Sequence, residues 1–531
     1  MEYISDIKNE RILFILKETY SYPIWFLLPY FEKYNKIALF FINHAESGYK
    51  ECYFNRYTYY KFSELKSVDI YDLNIEADEF TKCFKEPICD MNYLNHIERN
   101  ICTYKNLNLQ AVSSQQLSRY YHNRIYFKNY NFCQRLKWIE LNYKGVERIL
   151  NTYNPTLILD TDTFEFPRTV LIELAKYRRI PYISIDYPRY EDYKIPTYSI
   201  GYGMENYFQI IYDKIINNLS EDFSKESEYI EKFRKKNSIM SQEFQGTETA
   251  KYTADNLKII AKRLLGKAIY LWNQNIMAGN YRLIQSNPLI YPSSHELIKF
   301  FIHVERRKRK LYGTNKYFKV PHKNDEYVYF PLHLIPEAST VIKAPYYVNE
   351  LHIIESVSKA LPIGWKLYVK EHQSMLGERD INFYKKVNML PNCQMVCLDY
   401  YKDPKPWIVN SKGVITITGT SAYEAVLLGK RAIVFGDVSF SLIEGIQRVT
   451  SFEELNHAIQ LFDEPIDNVK SCAAYIKAVK EVGYRIDIRY LMREGERLLS
   501  LGLDPSKEFI EQIDALIQLY NSAYKRIKTS S

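Results

Sequence analysis

Apolar and polar positions along this 531-residue chain follow two different periods, and each change of period marks an element. "RILFILKE" (11–18) and "KIALFFIN" (36–43) are continuous apolar runs of strand length, separated by a helical pattern in "YPIWFLLPYFEKYN" (22–35). The clearest unit is "PTLILDTDTFEFPRTVLIELAKYRRIPYISID" (155–186), which reads as strand, acidic loop, helix, strand. Val170, Leu171, Leu174 and Ala175 fall on one face of its helix, as a βαβ unit requires. From 326 the alternation returns, with strands expected at 327–332, 366–371, 393–398, 413–418 and 431–436. Helical patterns lie between them, around 347–360, 380–390, 404–411 and 421–429. Residues 110–150 and 452–528 also read as helical. The stretch 205–300 is richer in Lys, Asn, Glu and Ser and reads as a connector with peripheral helices.

Strand–helix alternation calls for an α/β protein with parallel, doubly wound sheets. The chain is too long for one hydrophobic core. The expected architecture is two Rossmann-like domains with a helical connector and C-terminal helices. The boundaries fall at 1–205, 206–320, 321–500 and 501–531. Ligands of such sheets bind outside the carboxyl ends of the strands, where the strand order reverses. With the strand order 3-2-1-4-5 in the second domain, one rim collects His333, Glu337, Lys370, Glu371, His372, Thr420, Ser421, Glu424 and Asp437.

The joint "TITGTSAYEAVLLGKRAIVFG" (416–436) carries two compatible readings. Ser421-x-x-Glu424 spells a capping box, and Gly429 suits a helix end. The same helix start, following a buried strand, offers N–H groups and a positive dipole end to a phosphate. Gly419 then permits close approach, Thr420 and Ser421 add hydroxyl donors, and Glu424 accepts from a ribose hydroxyl. His372 follows "LYVKE", flanked by Lys370 and Glu371. It reads as structural, or as a group that hydrogen-bonds or protonates a departing phosphate. Lys370 reads as a phosphate ligand or as a side chain snorkelling from a strand edge. In the first domain Asp160, Asp162 and Glu165 follow a strand. They read as N-caps, or as a general base on a sugar hydroxyl, or as a nucleophile at an anomeric carbon.

Composition changes this picture little. A net charge of +8 is a mild excess and calls for no nucleic-acid partner. Part of it is concentrated in "HVERRKRKLYGTNKYFK" (303–319), either a solvated face or a patch for phosphates or an anionic membrane surface. Eight cysteines show neither CxxC pairs nor metal-ligand spacing, which suits free thiols in a reducing compartment. No signal peptide or membrane span is expected, and the reading is a soluble cytoplasmic protein.

The run "YFPLHLIPEAST … LYVKEHQSMLGERDINFYKKV … PNCQMVCLDYYKDPKPWIVNSKGVITITGTSAYEAVLLGKRAIVFGD" (329–437) resembles bacterial capsule and surface-polysaccharide biosynthesis proteins, in particular the Kdo transferases of the glycosyltransferase-B (GT-B) fold. Those carry a His-Pro motif at a strand end and a Ser/Thr-rich motif at a helix start, both against the phosphate of a CMP-sugar. His372 matches the histidine, with Gln373 in place of the proline; Thr420, Ser421 and Glu424 match the second motif. The resemblance implies transfer of a sugar from a nucleotide-activated donor, CMP-sugar favoured, to a growing, lipid-linked surface glycan. It implies that no metal or cofactor is needed; Lys370, Glu371, Glu337 and Gly419 fall near the nucleotide by their place on the rim. It also implies a place at the inner face of the membrane, aided by 303–319, and in a polysaccharide assembly complex. The rivals are a UDP-sugar 2-epimerase, a CDP-alditol phosphotransferase and an inactive scaffold.

Overall fold

The computed structural model describes residues 6–42, 61–102, 131–162, 166–199, 206–240, 257–278, 294–312, 316–335 and 338–530. Glu165 and Glu337, and the stretch 110–130 read as helical, lie outside them. The chain divides into two compact units: residues 1–201, 268–297 and 482–531 form the first, and 202–267 with 298–481 the second.

In the first unit, β1 (Arg11–Leu16), β2 (Lys36–Phe41), β3 (Asp69–Tyr71), β4 (Leu157–Leu159) and β5 (Tyr182–Asp186) are parallel neighbours in the order β5-β4-β1-β2-β3. An antiparallel β6 (Tyr193–Thr197) extends the β5 edge, and β13 (Tyr484–Arg485) pairs with β6. The order reverses between β1 and β4, which is this sheet's switch point. The runs that read as continuous strands are buried on both faces, as parallel sheets require. The C-terminal helix Lys507–Ser530 closes this core: Leu516 and Tyr520 pack with Phe14, Phe31 and Leu159.

In the second unit six parallel strands are arranged β12-β11-β10-β7-β8-β9. They are β7 (Tyr327–Pro331), β8 (Lys366–Lys370), β9 (Cys393–Met395), β10 (Gly413–Thr416), β11 (Ala432–Val434) and β12 (Ile446–Arg448). This is the expected order 3-2-1-4-5 with one more strand, and β7 and β10 flank the switch point. Strand parity sorts the side chains. Val328, Phe330, Leu367 and Val369 enter one core. Tyr327, Tyr329 and Tyr368 face the other way and pack around the buried Trp407 ring. Gly413 begins β10 without a side chain because a Cβ there would lie 2.5–2.7 Å from the Phe462 ring.

Part of the stretch read as a connector belongs to this second core. The helices Asn206–Ile216 and Ser224–Lys235 are tied to it by Tyr212 Oη with Ser471 Oγ (2.7 Å), by Lys480 with Glu226 (2.6 Å) and by Arg234 Nε, which donates to Leu427 O (2.8 Å). The basic run lies on the helix Ser294–Tyr312, where Arg307 donates to Glu378 O and Asp380, while Arg306 and Arg309 are exposed. No helix among the described residues is long and apolar enough to cross a membrane.

Candidate functional site

β10 ends at Thr416, and after three residues the chain turns into the helix Thr420–Leu427. The capping-box reading does not hold. Gly419 is the N-cap, and Ser421 lies inside the helix with its Oγ making no capping hydrogen bond. The turn is closed by Thr416 instead, whose Oγ1 accepts from Gly419 N–H at 3.2 Å. Gly419 has an extended backbone (φ −70°), so its lack of a side chain is a matter of space. A Cβ there would stand 2.5 Å from Thr416 Oγ1, 3.2 Å from Ser421 Oγ and 3.4 Å from His333 Nε2. Three polar side-chain atoms thus converge on one face of Gly419.

His333, two residues beyond β7, is buried at the switch point. Its Nε2 accepts from Thr418 N–H at 3.3 Å and lies 3.2 Å from Thr416 Oγ1. In the neutral ring the proton therefore sits on Nδ1, which is 3.6 Å from Glu350 Oε1. Thr418 Oγ1 and Ser421 Oγ are buried and have no hydrogen-bond partner among the described residues. Buried hydroxyls are ordinarily satisfied by protein, water or ligand, so these two, beside the helix start, are open to a further polar partner. Gly436 leaves room for Thr418: a Cβ at that glycine would collide with Thr418 Cγ2.

Beneath this joint Arg379 links the loops leaving β7 and β8. Its Nη1 lies 2.6 Å from Glu350 Oε2, its Nε 2.9 Å from Glu371 Oε2, and its Nη2 donates to His333 O at 3.1 Å. Glu371 also accepts from Tyr384 Oη (2.6 Å) and from His372 N–H (2.7 Å). The two carboxylates share one guanidinium and titrate apart. Burial pushes both up; for Glu350 the Arg379 charge and His333 outweigh it and hold the carboxyl below its ordinary value, whereas Glu371 stays raised.

Two expected nucleotide ligands thus take structural roles. Glu371 is buried with both oxygens engaged. Lys370 shares strand parity with Tyr368 and lies over the Trp407 ring; its Nζ donates to Tyr401 O (2.8 Å) and Lys402 O (3.2 Å). Burial pushes its pKa down to about 8. His372 remains half-buried at the rim. It caps a short turn (Gln373–Met375), its Nδ1 accepting from Ser374 N–H at 3.2 Å, so that the neutral ring carries its proton on Nε2. Gln373 opens that turn, a position whose missing intrahelical N–H bond also suits proline. Thr420, the first residue of the helix, and Glu424, one turn further in, are both half-buried. Asp437 is buried, with Arg448 Nη1 3.2 Å from its Oδ2.

In the first unit the expected catalytic carboxylates are corrected in the same way. Asp160 has no exposed surface: Arg168 Nε meets its Oδ2 at 2.6 Å and Nη2 its Oδ1 at 2.9 Å, while Tyr182 Oη and Thr161 N–H donate to it as well. Its pKa is pushed up to about 6 by burial, against the opposing pull of Arg168. Asp162 is buried too, 3.9 Å from Arg168 Nη1, and its carbonyl accepts from Ser184 Oγ at 2.6 Å. Carboxylates so enclosed hold the β4 loop in shape and have no room to receive a proton from a sugar hydroxyl. Among the described residues no group of His, Cys, Asp and Glu is arranged to hold a metal ion.

Arg168, Glu350, Arg379, Thr416 and Thr418 were not singled out by sequence. The two threonines left a trace, polar residues at alternate positions in "VITIT"; Arg379 left none.

Asp160→Asn is expected to strand the Arg168 charge and lower stability by about 3–5 kcal/mol in denaturant unfolding. A loss of turnover with stability intact would instead restore Asp160 as a base. For Lys370, the unfolded chain holds its proton from pH 8 to 10.5 while the folded chain releases it, so the wild type gains stability as pH rises through that window. Relative to Lys370→Met, which lacks this linkage, the gain should reach roughly 3 kcal/mol between pH 7 and 11, read by urea unfolding at each pH.

No protein-family model matches the chain, and no curated protein matches it. Solved structures do at low identity. The β-Kdo 2,7 transferase KpsC of Thermosulfurimonas dismutans is 12% identical, over 68% of this chain and 89% of that one, with a TM-score of 0.30. The β-Kdo 2,4 transferase KpsC of the same organism is 11% identical over 64% and 87%, with a TM-score of 0.31. UDP-GlcNAc 2-epimerase of Methanocaldococcus jannaschii is 10% identical over 89% and 99%, with a TM-score of 0.24. Likeness at this level concerns the fold, two Rossmann-like units, which the strand orders of the two sheets carry by themselves.

Proposed function

We propose that the second unit binds the phosphate of a nucleotide-sugar at the β7–β10 joint, and that the protein transfers the sugar to a surface polysaccharide or its lipid-linked precursor. The observation that carries this reading is the pair of buried, unpartnered hydroxyls, Thr418 Oγ1 and Ser421 Oγ, at a helix start with no side-chain cap. Such a start presents N–H groups and a positive dipole end to an anion. The bond that breaks in sugar transfer joins the anomeric carbon to a phosphate oxygen, so negative charge collects on the departing phosphate. The two hydroxyls, the main-chain N–H groups of Thr420 and Ser421, and the Nε2–H of His372 are the donors that would hold it. Glu424 would meet the ribose. The sequence resemblance over 329–437 favours a CMP-sugar; the same joint suits the UDP-sugar of an epimerase. A lipid-linked acceptor would place the reaction at the cytoplasmic face of the membrane, near the exposed cations of 303–319 and the other proteins of a polysaccharide assembly complex.

The test is a thermal-shift series with CMP, CDP, UDP, GDP and dTDP on the wild type, Thr418→Val, Ser421→Ala and His372→Ala. A nucleotide at 100 times its Kd should stabilise the wild type by about 2.7 kcal/mol. Each hydroxyl deletion should weaken binding by about 3- to 10-fold, the worth of one hydrogen bond. CMP preference supports the transferase, and UDP preference the epimerase reading. A shift with no nucleotide, or one unchanged in Thr418→Val and Ser421→Ala, overturns the assignment.

A further inference from the structure

The peptide joining Ile417 to Thr418 is gripped from two sides. Ile417 O accepts from Phe435 N–H at 3.1 Å and from Gly436 N–H at 2.8 Å, where β11 ends. On the other side Thr418 N–H donates to Nε2 of the buried His333 at 3.3 Å, and the same Nε2 lies 3.2 Å from Thr416 Oγ1. The opposite ring nitrogen, Nδ1, makes no hydrogen bond and faces Glu350 Oε1 at 3.6 Å. Against its burial, the Arg379 charge holds Glu350 as a carboxylate, so the ring's proton is at home on Nδ1. Thr418 is wedged as well: its Cγ2 fills the space that a Cβ at Gly436 would need. A β-branched side chain has few rotamers to choose from, so the fixed peptide and the wedged methyl together set the direction of Oγ1. That oxygen is buried and has no hydrogen-bond partner among the described residues.

We propose that His333 is a positioning residue for the phosphate: as an acceptor at Nε2 it fixes the Thr418 peptide, and through it the direction of Thr418 Oγ1. This role rests on the phosphate site proposed above. His333 is not itself a ligand in this arrangement. A phosphate oxygen needs donors, and the Nε2 lone pair of the neutral ring is spent on Thr418 N–H, whereas the Thr418 hydroxyl has a hydrogen to give. The position therefore requires an acceptor where Nε2 stands. A glutamine carbonyl oxygen reaches that place; the shorter asparagine does not.

The experiment is a calorimetric titration of the full chain with CMP, CDP, UDP, GDP and dTDP, followed by the best-bound of these on four variants: His333→Gln, His333→Asn, Thr418→Val and the double variant His333→Asn, Thr418→Val. His333→Gln is expected to bind within about threefold of the wild type, and His333→Asn to bind about 3- to 10-fold more weakly, as Thr418→Val does. The double variant should bind no more weakly than either single one, because both remove the same hydroxyl from the ligand. A multiplied loss of roughly 10- to 100-fold would mean that His333 acts apart from Thr418, and would overturn the proposal. So would a His333→Gln variant as weak as His333→Asn, or a His333→Asn variant that binds like the wild type. A lowered melting temperature would show that His333→Asn is misfolded; the Gln variant then carries the comparison. Nitrogen NMR of the histidine rings in the empty wild type, assigned with His333→Gln, needs no ligand: Nε2 of His333 is expected without a proton, and a proton there overturns the proposal. A wild type that binds none of the five nucleotides removes the phosphate site and the proposal with it, whereas binding that ignores His333 removes the positioning role alone.

Discussion

One buried guanidinium between two carboxylates supports the rim in each unit. Arg379 spans Glu350 and Glu371 and reaches His333 O, so the loops leaving β7 and β8 have one fixed relation. Arg168 spans Asp160 and Asp162 below the β4 loop in the first unit. Removing one partner from such a cluster leaves an uncompensated buried charge, which is far costlier than the intact cluster is favourable. The gain is geometric. The loops at these strand ends are held from beneath by charge and are not left to their own flexibility.

On that base the candidate site is built mostly from main chain and hydroxyls. His333 holds Thr418 N–H through Nε2, Thr416 closes the turn, and Gly419 keeps its face open because any side chain would strike Thr416 Oγ1. Thr418 Oγ1, Ser421 Oγ and His333 Nδ1 have no hydrogen-bond partner among the described residues. A helix start that used Ser421 as its cap would have spent that hydroxyl internally. Because Gly419 takes the cap position, that hydroxyl stays available to a further partner.

Much of the fold could be read from the sequence because parallel strands buried on both faces leave continuous apolar runs: β1, β2, β7, β8 and β10 all lie within the stretches that the pattern marks. β3, β12 and β13 have only two or three residues and no longer apolar run around them, unlike the equally short β4, β9 and β11, so no period shows. Nor does an amphipathic pattern say which core its stripe will cover; so Lys507–Ser530, which packs with Phe14 and Leu159 from the start of the chain, looked like an appendage. The site was legible by place and less so by role. Lys370, Glu371 and Asp160 stand at strand ends, where charge usually means function, but parity and partners from elsewhere in the chain (Trp407, Arg379, Arg168) bury them. Those partners are set by tertiary packing and have no local signature.

The most direct measurement is a crystal structure of the protein with CMP bound. The account predicts phosphate oxygens within about 3 Å of Ser421 Oγ and Thr418 Oγ1, with the Thr420 and Ser421 N–H groups aimed at them. A nucleotide whose phosphate lies away from residues 418–421, with both hydroxyls still unpaired, would contradict it.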